Sequence, residues 1–153
     1  MKTTRRFVLA IAFLFLCAGF ASVNAQTAPP FKVTAIKIVP FEELTGEFDA
    51  EIKPKDKREF FNEVSIGLLV TVEISGQTET MAENRKLETT VLKGGKMLTK
   101  KLISIIGVGA GGKYYAPLYI DGGICEEITI TAKIIGQKTA STLTRKIPFQ
   151  CGE

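Results

Sequence analysis

The sequence predicts an all-β fold, two antiparallel sheets packed as a sandwich, and three observations predict it. Apolar and polar residues alternate every second position over much of residues 31–153. A Gly94-Gly95 pair divides two strand-like runs. Turn-forming residues separate the remaining runs, and no long stretch repeats at the 3.6-residue helical period.

The clearest strand runs from Val64 to Ile74. Val64, Ile66, Leu68, Val70, Val72 and Ile74 are apolar, with Ser65, Gly67, Leu69, Thr71 and Glu73 between them. Alternate side chains of a strand share a face, so this segment buries one side. Wound as a helix, the same apolar residues would encircle the axis and bury nothing coherent.

Lys86 to Lys93 and Lys96 to Ile103 flank the glycine pair. Two glycines suit a type I′ turn, whose central residues both need positive φ. A regular ladder from that turn pairs Leu92 with Met97, Val91 with Leu98, Thr90 with Thr99, Glu88 with Lys101 and Leu87 with Leu102. Apolar residues then meet apolar ones, and opposite charges meet.

Val33 to Val39 and Phe48 to Ile52 read as two further strands, the second short. Tyr114 to Ile120 is another, weakened by Pro117. Ile124, Ile128, Ile130, Ala132 and Ile134 form an apolar row, and Leu143, Ile147 and Phe149 form the last one. Seven or eight strands with short connections give an antiparallel sandwich in one domain over residues 31–153, after a lead-in at 26–30. An immunoglobulin-like arrangement is the leading topology, by analogy. The sequence has no Trp for the buried site of antibody domains. A regular final hairpin sets Cys125 and Cys151 on opposite faces, so a bulge near Gly122-Gly123 is expected. An outer-membrane barrel is the rival all-β reading; few aromatics and charge-interrupted strands argue against it.

Residues 1–25 have the three parts of a secretory signal peptide, a helical leader that is removed. Lys2, Arg5 and Arg6 lead, Phe7 to Phe20 is apolar, and Val23-Asn24-Ala25 offers small residues for cleavage after Ala25. The apolar run of 14 residues is shorter than a permanent span requires, so no stable membrane span remains after processing. Leu16 is too large for the position before a lipidated cysteine at Cys17, and Arg5-Arg6 only resembles a twin-arginine signal. The expected location is the periplasm or the extracellular space. Three of the 20 basic residues and none of the 16 acidic ones lie in the leader, so residues 26–153 carry 17 against 16. That balance gives no support for nucleic-acid binding. Cys125 and Cys151 remain, an even count in an exported chain, and a disulfide between them is expected. Closing such a loop contributes about 3–4 kcal/mol in the chain-entropy model.

The absence of His removes Ser-His and Cys-His catalytic pairs and the commonest zinc ligand. Gly107 to Lys113 fits both G-x-G-x-x-G and the start of a phosphate-binding loop. Such a loop needs a helix after it, and Tyr114-Tyr115-Ala116-Pro117 is β-prone instead. Glu47, Asp49 and Glu51 share one face of a short strand, with Glu42 and Glu43 nearby. They lack the spacing of a calcium loop and read as a solvated edge. Asp121-Gly122-Gly123, followed by Cys125, Glu126 and Glu127, is first of all a turn. No metal ion and no cofactor are expected.

These observations point to a small exported binding or accessory domain without a catalytic site. Tyr114, Tyr115, Tyr119 and Asp121 are the candidate contact surface, because tyrosines supply contact area at little entropic cost. The partner class is a protein or a glycan. A structural subunit of a cell-envelope assembly is the first alternative. A carboxylate- or calcium-dependent enzyme resting on Asp121, Glu126 and Glu127, or on the Glu47 row, is the second.

Overall fold

Strand β1 (Lys32–Glu42) lies antiparallel to β4 (Ile66–Ser75), which lies antiparallel to β7 (Lys113–Ile120). The two-residue β2 (Glu47–Phe48) joins the outer side of β1, giving a first sheet of order β2-β1-β4-β7. The second sheet has the order β6-β5-β8-β9, from β5 (Met81–Lys93), β6 (Lys96–Gly107), β8 (Ile128–Ile135) and β9 (Ser141–Ile147). This is a computed structural model that describes residues 30–56, 60–61 and 65–150. Among them all the regular structure is strand, and both four-stranded sheets are open and wholly antiparallel. The leader, Val64 and Cys151 lie outside the described residues.

The period-two pattern explains the layers. Leu68, Val70, Val72 and Ile74 are fully buried on one face of β4, and Ile128, Ile130, Ala132 and Ile134 on one face of β8. These inward rows belong to one apolar core with Ile36, Ile38, Leu87, Val91 and Ile105, so the sheets form a sandwich-like arrangement. Each fully buried aliphatic side chain contributes about 1.5–3 kcal/mol. Pro117 is accommodated because β7 is an edge strand, where a missing N–H breaks no ladder.

Three expectations are corrected. The Gly94-Gly95 turn and the Leu92–Met97 pair form, but beyond them the ladder slips at a bulge. Val91 faces Thr99, Thr90 faces Lys100 and Glu88 faces Leu102. β6 carries apolar residues at both parities, and a one-residue slip exchanges its faces. The slip places Ile105 in the core with Ile103 packed against it, and leaves Met97, Leu98 and Leu102 exposed.

The strand expected at Phe48 to Ile52 is regular only over Glu47–Phe48. Asp49 N donates to Pro40 O at 3.0 Å and Ile52 N to Ile38 O at 2.9 Å, but Pro40 has no N–H to return. The bulge expected at Gly122-Gly123 is instead part of a crossover, since residues 121–127 leave β7 in one sheet and enter β8 in the other. In addition, β3 (Phe60–Phe61) and β10 (Phe149–Gln150) make a short parallel pair that sequence reasoning did not anticipate.

Arg145 is a further feature that the alternation did not reveal. It sits on the inward face of β9, opposite Ile130. Its guanidinium reaches across to the first sheet, where Nη1 donates to Ile36 O at 2.6 Å and Nη2 donates to Ile52 O. Burial lowers its pKa, while Glu51 and Asp56 act in the opposite direction. An inward charge on an edge strand also discourages another chain from pairing there.

Candidate functional site

The alternation of β7 sorts its side chains. Tyr114, Ala116, Leu118 and Ile120 face the core, while Lys113, Tyr115, Pro117 and Tyr119 face outward. Tyr115 is 49% exposed and Tyr119 is 45% exposed. Of the four expected surface residues, the structure thus brings Tyr115 and Tyr119 together on the outer face of the first sheet. Tyr114 packs against the core instead. Asp121 stands exposed just past the strand, its Oδ1 accepting the Gly122 N–H at 3.2 Å.

Neighbouring strands complete the face. Phe41 on β1 meets Phe48 on β2 with ring centroids 4.8 Å apart, and meets Tyr119 edge-on at 6.3 Å. Tyr119 Oη donates to Glu43 Oε1 at 2.6 Å. That bond and burial push the Tyr119 phenol up to about 12. Lys37 Nζ stands 5.6 Å from the centre of the Tyr115 ring, a cation–π contact.

Beneath Tyr115 lies Glu73, a carboxylate only 7% exposed on the outward side of β4. Lys113 Nζ is 2.9 Å from Glu73 Oε1 and Lys37 Nζ is 3.3 Å from Oε2. Thr34 Oγ1 donates to Oε1 at 3.0 Å. Lys113 is the main cause that holds Glu73 down at about 2, with Thr34 and Lys37 adding to it against the effect of burial. Glu73 therefore fixes both lysines, and Lys37 in turn holds Tyr115, while Tyr119 is held separately by Glu43 and Phe41.

Sequence reasoning missed Lys37, Phe41, Phe48 and Glu73. The available signals were an aromatic and a lysine at outward parity on β1, and Gly67 inside a strand, which marks a close approach from above. An open cleft of about 360 Å³ adjoins this face at one end. Pro40, Phe48 and Ile66 form its apolar wall, and Glu42, Glu47 and Asp49 its acidic one.

The other motifs resolve into structure. Gly107–Lys113 runs from the last residue of β6 to the first of β7 through a turn closed by a 2.9 Å bond from Gly112 N to Gly109 O, with a strand rather than a helix behind it. Glu127 Oε1 pairs with Lys146 Nζ at 3.0 Å. Glu47, Asp49 and Glu51 are exposed. Among the described residues no three His, Cys, Asp or Glu side chains are placed to hold one metal ion. Cys125 lies in the crossover between β7 and β8, while its expected disulfide partner Cys151 lies outside the described residues. What this arrangement offers chemically is a fixed aromatic platform with ammonium groups beside it.

Comparison with protein-family models gives no match, and comparison with curated proteins gives no relative.

Proposed function

We propose that this protein is an exported binding domain of the immunoglobulin-like kind, whose contact surface is the outer face of the first sheet. The strand orders support the arrangement. β1, β4 and β7 correspond to strands A, B and E, and β6, β5, β8 and β9 to strands C′, C, F and G. The leader composition supports export to the periplasm or beyond, with cleavage after Ala25. In that compartment Cys125 pairs with Cys151.

One observation carries the binding role. Tyr115 and Tyr119 are half-exposed yet pinned, one beneath Lys37 and the other by Glu43 and Phe41. Pre-positioned aromatic rings lose little entropy when a partner covers them. The partner class is a protein or a glycan, and the reading is of a binding protein rather than an enzyme. The test is co-purification from native cell envelope followed by mass spectrometry, comparing the native chain with Tyr115→Ala/Tyr119→Ala. Loss of a specific partner at unchanged circular dichroism supports the surface; undiminished capture rejects it.

The second reading, a subunit of an envelope assembly, is favoured by a separate observation. β6 is an edge strand whose Met97, Leu98 and Leu102 are exposed.

A further inference from the structure

The hairpin joining β5 and β6 and the acidic cleft beside β2 lie at the same end of the molecule. Register pairs fix this. Glu42 faces Ile66, Leu68 faces Ile120, and the crossover from Ile120 leads to Ile128, which faces Lys93 at the hairpin. They also lie at opposite lateral edges. β2 is the outermost strand of the first sheet and β6 of the second, with β1 packed near β9 and β7 near β6.

Their chemistry is complementary. The hairpin tip presents Lys96 and Met97, the latter 61% exposed. It is braced from behind, because Gly94 N donates to Glu127 O at 3.0 Å and Lys93 Nζ donates to Gly123 O at 2.9 Å. The cleft offers Glu42, Glu47 and Asp49 to an ammonium group and Phe48, 61% exposed, to an unbranched apolar chain. Its opening of about 360 Å³ takes the ends of two long side chains. Methionine sulfur on an aromatic ring is itself a favourable contact.

We infer that two copies of this chain form a two-fold dimer in which the β5–β6 hairpin tip of each seats in the acidic cleft of the other. A tip and a cleft at one end but at opposite edges are brought together twice by a single two-fold axis through that end. The contact is isologous and closed, so it stops at two copies. The inference does not depend on the tyrosine surface, whose test reads a different partner.

Sedimentation velocity on the purified protein tests it. The native chain is expected at twice the monomer mass at low salt, dissociating as salt screens the contact. Lys96→Glu alone and Glu47→Lys alone are each expected to weaken the dimer by about tenfold or more, since each reversal acts at both symmetric contacts. Mixed one to one, they are expected to dimerise again. The carboxylate introduced on the hairpin of one variant then faces the ammonium introduced in the cleft of the other, and the native pair survives at the second contact. Both substitutions are on exposed side chains, and circular dichroism checks that the fold is retained. A native chain that stays monomeric at millimolar concentration overturns the inference. So does a dimer that neither reversal weakens, or a pair of weakened variants that mixing fails to restore.

Discussion

The ring of Tyr119 occupies the space in which a side chain at Gly67 would stand. A Cβ built on Gly67 overlaps the Tyr119 hydroxyl and the ring carbon that bears it. The glycine near the start of β4 is therefore the floor on which the exposed tyrosine lies, and Glu43 is the latch at its far end.

Gly67→Ala is expected to lift Tyr119 off the sheet and break its bond to Glu43. The cost in stability is about 1 kcal/mol, because the displaced group is the free end of a side chain. The sharper readout is spectroscopic. In a phenolate absorbance titration the tyrosine that ionises at about 12 in the native protein shifts down toward the ordinary value of 10.0. An unchanged titration would count against the latch.

Glu73→Gln is expected to change the acid limb of the stability profile. The carboxyl of Glu73 titrates near 2 in the folded chain against an ordinary 4.5. A depressed folded value means that its contribution is complete above 4.5 and is lost as the pH falls from there toward 2. Melting temperatures measured across that window should fall less steeply for the Gln variant than for the native chain. Parallel curves would show that Lys113 and Lys37 contribute nothing through Glu73.

Arg145→Ala is expected to cost about 2–4 kcal/mol in urea unfolding, since it strips donors from the carbonyls of both Ile36 and Ile52. Arg145→Lys should recover little of this. One ammonium on a flexible stem does not reproduce a planar fork that bridges two carbonyls. Full recovery by lysine would reduce the role of Arg145 to charge alone.

Gly94→Ala is expected to cost more than Gly95→Ala. Both glycines have positive φ, at 52 and 79. A Cβ at Gly94 also overlaps the Glu126 carboxylate, whereas Gly95 faces open space. The left-handed conformation costs about 1 kcal/mol at either position, and the overlap adds to it at Gly94. Placing Gly94→Ala in a Glu126→Ala background should remove the excess and leave the two alanine variants alike, as a double-mutant cycle in urea would read.

How much of this could be read beforehand differs strand by strand. β4 and β8 were readable because each carries its apolar residues at one parity, with Leu69 and Ile135 the single exceptions, which leaves one face to bury. The turn at Gly94-Gly95 was readable because its backbone demands are local. The ladder beyond it was not. Val91 against Leu98 looks as good a pair as Val91 against Thr99, and only the shape of the core prefers Ile103 and Ile105 over Leu98 and Leu102. The site divided in the same way. Nothing in Tyr114-Tyr115 says which ring faces water; Ile74 opposite the first and Glu73 opposite the second decide it.

By itself the sequence determined which of the long segments extend, where the Gly94-Gly95 turn falls, and that the clearest strands turn one side to a core, because these are short-range consequences of side-chain alternation and glycine stereochemistry. The tertiary structure alone decided the order of strands in each sheet, the phase of β6, the passage of Arg145 between the layers and the meeting of Lys37, Glu73 and Tyr115. Those depend on contacts between residues far apart in the chain, and their energies exist only once the two sheets have closed on one another.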